Sequence, residues 1–539
     1  MPWRVDESNA SPVPYKNQVR GWLSYAFASE VFVVVSLTLF LPICLEQFAR
    51  DNGYYEPDHK TRCASAIITA EEARCVVKIG WAWIDTASFS LYTNSISVAL
   101  QALTVISMGE VADHPRHRKR LLLSFAFTGA ISAMVFFVLS SSSPIWQTSS
   151  LLAIVSNVCF GASIVALNAY LPSLARNSGE VIKAAAALAD APRSTGLSEE
   201  AEDSEDAGLL ASVTPALVDA KAEYSKALTT ATSRISSRGI ATGYLAGIIL
   251  LIIALIPVTK LKGSTLSLRL AIGMSGVWWG IFSLPAAVWL PSGSASTELS
   301  EKRTVWRQIL FSWKRLSEML RWKEIKKLRN TFKYLAAWFL LSDGFTTITS
   351  TAVLFSKTVL FMPASSLILI GVIVPTFGII GSLAWPYLQR RMNLGNLRVV
   401  MILVVLASLA PAYGCFGFLP VFQRIGFGGM NNPNEMYGLA VYFGFVYGAF
   451  QAYARAFYAE LIPKGEEAKW YALFSITDKS SSFVGPLAVG LIADLTGNIR
   501  YGFFFVVFMI WLAVPILMSV DVEKGRTDAE SYSYRTSES

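Results

Sequence analysis

The chain has 539 residues, of which 53% are hydrophobic and 16% charged, with a mean hydropathy of +0.45 and a formal net charge of +8. Soluble domains carry about 25% charged residues, so this composition excludes a string of soluble domains that the length alone would allow. The excess of positive charge is gathered in loops on one side of apolar segments, which argues for membrane orientation and against a nucleic-acid partner.

The first twenty residues are polar. The first apolar run is too long for the core of a secretory signal and holds Glu30, so no cleaved leader is expected. Twelve apolar stretches follow at 22–48, 82–109, 121–140, 147–175, 239–258, 268–290, 332–356, 365–386, 397–419, 437–461, 471–493 and 501–520. Each is near the roughly 20 residues that a bilayer core demands of a helix. An even number of spans puts both termini on one side. The larger share of the 46 Lys and Arg falls on that side, including Arg116, Arg118, Lys119 and Arg120 in one short turn, so both termini are expected in the cytosol. The expected organisation is a tail (1–21), a six-helix half (22–290) with a cytosolic insertion (176–238), a linker (291–331), a second six-helix half (332–520) and a tail (521–539). The insertion holds an alanine run, Ala184 to Ala187, and six acids between Glu199 and Asp206; such composition predicts a mostly disordered segment. In the linker, Trp306, Ile309, Leu310, Trp313, Leu316 and Leu320 recur near helical spacing with Arg and Lys between them. That pattern predicts one or two basic amphipathic helices at the membrane surface, joining the halves or touching lipid.

Cys44, Cys159 and Cys415 lie in apolar segments and read as packing residues. Cys63 and Cys75 share one polar loop, where a disulfide and two free thiols both stay open. There is no Cys-x-x-Cys, and His59, His114 and His117 all lie in loops. No metal, cofactor or His-based catalytic site is expected. Asp343-Gly344 lacks the glycine context of an intramembrane aspartyl protease, so an enzyme is not the reading.

The two halves repeat. Ser29-Glu30-Val31-Phe32 in the first span answers Ser342-Asp343-Gly344-Phe345 in the seventh. Gly161-Ala162 and Asn168-Ala169-Tyr170 answer Gly448-Ala449 and Arg455-Ala456-Phe457, and Gly109-Glu110-Val111-Ala112-Asp113 answers Gly381-Ser382-Leu383-Ala384-Trp385. The offset is always six spans, which implies an all-α membrane protein of two pseudo-symmetric six-helix halves. The run Gly109, Asp113, Arg118, Lys119, Arg120 resembles the loop signature of the major facilitator superfamily, where the aspartate caps a neighbouring helix and the basic residues hold the cytosolic face together. Trp385 replaces the acid in the second copy. Gly239, Gly243 and Gly247 form a stripe that lets helices approach.

Several segments resemble the fungal autophagy-related protein 22 family, a branch of that superfamily. They are Gly21-Trp22 through Glu30, Leu45-Glu46-Gln47-Phe48-Ala49-Arg50, Leu341 through Ile348, Tyr458 through Pro463, and Asp478-Lys479-Ser480-Ser481-Ser482 with Gly485-Pro486. The resemblance implies a vacuolar-membrane protein that exports amino acids, leucine among them, recovered from autophagic breakdown.

Charges inside spans cost at least about 2.5 kcal/mol each at a helix centre and avoid lipid. Spans 1, 4, 7 and 10 line the central cavity of this superfamily, and here they hold Glu30, Asn168, Asp343 and Arg455. These are the candidates for substrate and proton binding, and equally for a salt-bridged gate. Asp478 and Lys479 on span 11 point to different helix faces and are expected to tie two neighbours structurally. An amino acid is a zwitterion; Arg455 with Glu30 or Asp343 supplies the two charges it needs. A sugar transporter and a non-transporting sensor or scaffold on the same fold remain alternatives.

Overall fold

The computed structural model describes residues 13–56, 59–63, 74–113, 115–190, 215–292, 305–392, 394–463 and 467–538. In hydrocarbon a backbone amide finds no water, so the apolar runs pair their amides within helices. The first half contains α1 (Tyr15–Asp51), α2 (Thr86–Asp113), α3 (Pro115–Met134), α4 (Thr148–Asn168), the short α5 (Leu171–Arg176) and α6 (Gly179–Asp190), α7 (Pro215–Lys260) and α8 (Thr265–Trp289). The connection is α9 (Val305–Met319) and α10 (Trp322–Lys327). The second half contains α11 (Arg329–Thr358), α12 (Ala364–Met392), α13 (Asn396–Cys415), the short α14 (Pro420–Ile425), α15 (Pro433–Glu460), α16 (Glu467–Ser481), α17 (Val484–Thr496) and α18 (Gly502–Met518). A final helix, α19 (Val522–Glu538), follows.

Among the described residues, nine helices are long and apolar enough to cross a membrane. The more polar α11, α15 and α16–α17 pack among them in the same bundle. The start of α1 meets the end of α8, where Gly21 lies against Trp289 and Leu290. Asp521, before α19, donates its N–H to Asn330 at the start of α11 at 3.1 Å. Both described ends of the chain therefore share one face, here called the terminal face.

The opposite face carries a small antiparallel sheet, β1 (Tyr54–Tyr55), β2 (Cys75–Ile79) and β3 (Ala82–Asp85), in the order β1-β2-β3. Val76 pairs with Asp85 and Ile79 with Ala82, so Gly80 and Trp81 form the tip of the hairpin. This ribbon occupies residues 82–85, where the sequence pattern placed the start of the second span; that span begins at Thr86.

The insertion between the fourth and fifth spans also differs from expectation. Its described parts are helical, in α6 and in an extension of α7 that reaches back to Pro215. The reason is alanine, the strongest helix former, and Val181 of α6 buries against Ala231 of α7. The acidic run from Glu199 to Asp206 lies outside the described residues. A third difference is the break of the eleventh predicted span between α16 and α17, next to Gly485 and Pro486, whose ring supplies no N–H to a helix ladder.

Candidate functional site

α1 carries Glu30 between the halves. The glycine stripe of α7 makes room for it: Trp22 sits over Gly239, Glu30 over Gly243 and Val34 over Gly247, and a Cβ at any of the three glycines would overlap these side chains. Just beyond Glu30 the α1 ladder widens to π-helical turns over Phe32–Phe40. Pro42 cannot donate to that ladder, and a local widening is one way to absorb the loss.

Glu30 lies within electrostatic reach of Arg455 on α15 and Lys479 on α16. Tyr244 of α7 senses both Glu30 and Arg455. Tyr447 senses Tyr244, Asp478 and Arg455, and it accepts a hydrogen bond from Gln451 at 2.9 Å. One acid of the first half thus has two cations of the second within electrostatic reach, with Tyr244, Tyr447 and Gln451 in the same neighbourhood. Among the described residues no ion pair within 4.0 Å joins Glu30 to either cation, and Arg455 is exposed.

The other expected site residues go elsewhere. Asp343 is fully buried. Its Oδ1 accepts the Gly485 N–H at 2.9 Å, while Oδ2 has no hydrogen-bond partner among the described residues. It therefore caps the start of α17 from the side rather than joining Glu30 and Arg455. Ser342 donates to the Asp478 carboxylate on α16, so adjacent residues of α11 hold both sides of the α16–α17 break. Lys479 and Asp478 were expected to tie two different neighbours. Instead Lys479 reaches back to Asp478 at 3.5 Å, and among the described hydrogen bonds and ion pairs Asp478 is the one that engages another helix. Asn168 ends α4, exposed and on no described hydrogen bond.

On the terminal face Arg118 stacks over Tyr170 at 4.9 Å and Lys119 donates to the Leu290 carbonyl at 2.8 Å. These residues bind the start of α3 to the ends of α4 and α8; Arg120 is exposed. Gly109 and Asp113 belong to the last turns of α2. On the ribbon face a disulfide joins Cys63 to Cys75 with Cα atoms 6.1 Å apart.

Sequence reasoning missed the contact that closes the ribbon face. Asp494, at the end of α17, accepts the Tyr92 hydroxyl at 2.6 Å, the Asp85 N–H at 2.7 Å and the Arg74 guanidinium at 3.3 Å. All three donors belong to the first half. Arg74 also pairs with Asp85 at 3.3 Å and Glu56 at 3.4 Å. Deeper in, Ser88 donates to the Gly490 carbonyl at 2.8 Å and Ser95 to the Phe483 carbonyl at 2.7 Å, at the helix break itself. The described hydrogen bonds between the halves run along this line, from the ribbon to mid-bundle. The available signal was Arg74 beside a loop cysteine and a charged residue ending a span.

The family described as "Vacuole effluxer Atg22 like" matches residues 15–530. The chain belongs to that family. Its relatives include autophagy-related protein 22 of Cryptococcus neoformans, 40% identical with 98% of each chain covered. Autophagy-related protein 22-1 of Aspergillus fumigatus is 39% identical, covering 95% of this chain and 91% of the relative. In fold this Atg22-like chain is similar to the nucleoside transporter NupG, with TM-score 0.54 at 12% identity and coverage of 94% and 100%. It is also similar to the inward-open xylose transporter XylE from E. coli, with TM-score 0.53 at 10% identity and coverage of 94% and 95%. The fold is that of the major facilitator transporters, and family and fold together mark a multi-pass membrane transporter.

Proposed function

We propose that this Atg22-like protein exports amino acids from the vacuole lumen to the cytosol by alternating access. The observation that supports the reading is that Glu30 lies within electrostatic reach of Arg455 and Lys479 while, among the described residues, it forms an ion pair with neither. A free amino acid fits such a gap: its ammonium goes to Glu30 and its carboxylate to Arg455, with the tyrosines flanking the side chain. Pairing with the substrate ammonium gives the half-buried Glu30 carboxylate the close counter-charge it otherwise lacks among the described residues. The ribbon face is assigned to the lumen, where a disulfide persists, and the terminal face with both termini to the cytosol. In this reading the Asp494 contacts hold the ribbon face shut, so access to the charges is expected from the terminal face. Glu30, a first-half acid within electrostatic reach of Arg455 and Lys479, is the residue to test for proton coupling.

The test is flux in proteoliposomes with a panel of amino acids, with and without an imposed pH gradient. Arg455→Gln removes a charge-assisted contact worth about 1.5–3 kcal/mol and is expected to raise the half-saturating concentration about tenfold or more. Glu30→Gln is expected to abolish any dependence on the gradient. Absence of flux for every amino acid in the wild type overturns the proposal; flux that both variants leave unchanged overturns the site.

A further inference from the structure

We infer that an anionic phospholipid binds between α9–α10 and the second half, on the terminal face and outside the candidate site of Glu30 and Arg455. An open groove of about 440 Å³ lies there, walled by Leu320, Phe332, Ala336, Phe339, Leu473 and Ile516. Phe332, Ala336 and Phe339 follow one another on α11 at helical spacing, so the groove is a stripe of α11 that α16 and α18 flank but do not cover. Its walls suit an acyl chain and offer almost nothing to a polar ligand.

The rim has the opposite character. Between Val305 and Arg329 eight Lys and Arg stand against two acids, Glu318 and Glu324. Glu324 is taken by Lys327 at 2.7 Å, and Glu318 reaches Arg321 only at 3.8 Å with both side chains well exposed. Arg321 and Lys323 follow the groove wall at Leu320 in sequence, both are exposed, and Arg321 is held only by the long, solvent-exposed contact to Glu318. Trp322 between them is 69% exposed, and Lys326 lies 5.8 Å over its ring. An exposed Trp flanked by cations at the end of membrane helices is the composition that settles among lipid headgroups. Apolar groove and cationic rim together fit one molecule with a fatty chain and a phosphate. The chain lies along α11 and the phosphate meets Arg321 and Lys323. Because α9 packs on α2, with the Trp313 indole donating to Ser107 at 3.1 Å, the lipid links the connection between the halves to the second half.

The test uses the purified full-length protein and two lipids of identical chains, phosphatidylglycerol and phosphatidylcholine, read by retention in native mass spectrometry and by thermal shift. The wild type should retain phosphatidylglycerol in preference, and Arg321→Gln with Lys323→Gln should lower that preference by up to about twenty-five-fold, each cation near an anionic headgroup contributing roughly fivefold. Ala336→Trp, which fills the groove from an exposed position, should reduce retention of both lipids. Equal retention of the two lipids by the wild type overturns the inference, as does an Ala336→Trp variant that binds them normally. A charge-removal effect that needs no lipid and vanishes when residues 199–206 are deleted also overturns it, assigning the rim to that acidic stretch instead. None of these readouts depends on which solute the protein carries.

Discussion

Replacing Asp494 by Asn should loosen the ribbon face. The carboxylate accepts three donors from the opposite half, Tyr92 at 2.6 Å, the Asp85 amide at 2.7 Å and Arg74 at 3.3 Å. An amide keeps the shape but loses the charge, and presents one acceptor oxygen where there were two. Hydrogen bonds to a charged group contribute about 1.5–3 kcal/mol and neutral ones about 0.5–1.5, so the change approaches 1 kcal/mol per contact. Arg74 and Asp494 are 24% and 21% exposed, and screening by water reduces the sum. A net cost of about 2 kcal/mol is reasonable, which shifts the equilibrium between closed and open ribbon faces about thirtyfold. An ensemble that is about 99:1 closed becomes about 3:1. Leu91 is buried just inside the clamp, against Gly490. With Cys44, Cys159 and Cys415 replaced, Leu91→Cys labelled by an impermeant thiol reagent from the ribbon face reports the opening. Asp494→Asn should speed labelling by up to the same factor, and Arg74→Gln should do so in a non-additive way. Unchanged labelling in Asp494→Asn refutes the clamp.

Three further outcomes are expected. Cys63→Ser with Cys75→Ser opens a loop of sequence separation 12, which costs about 3 kcal/mol in the chain-entropy account; faster proteolysis of residues 54–85 in intact membranes is the measurement. Burial lifts the Asp85 carboxyl above its ordinary 3.8, against the pull of the Ala87 N–H and Arg74 and with help from Asp494. The folded clamp thus holds this proton more tightly than the unfolded ribbon, so its stability falls as pH rises from 3.8 through the raised value and levels off above it. Asp85→Asn should flatten that slope in thermal unfolding, with Glu56, Arg74, Tyr92 and Asp494 left in place. Gly485→Ala places a Cβ on the Thr347 hydroxyl and beside the Asp343 carboxylate; overpacking of this kind costs about 1–3 kcal/mol, visible as a lower melting temperature and slower flux.

The sequence alone determined the membrane class, the two-fold repeat and the family, because each rests on signals carried by many residues. Span-length apolar runs, a constant six-span offset and long matching segments survive errors at single positions. It also put Glu30 and Arg455 forward as candidates, since a charge in a bilayer span is costly. Tertiary structure decided which charges meet. Symmetry put Asp343 opposite Glu30, yet a fully buried carboxylate went to the amide of Gly485, because the break before Pro486 leaves helix N–H groups that need an acceptor. Periodicity could not foresee that break, nor that Lys479 would fold back on Asp478. The Asp494 clamp was hidden for the same reason: Arg74 and Asp494 lie 420 residues apart, and only the docking of one half on the other brings them to hydrogen-bonding distance.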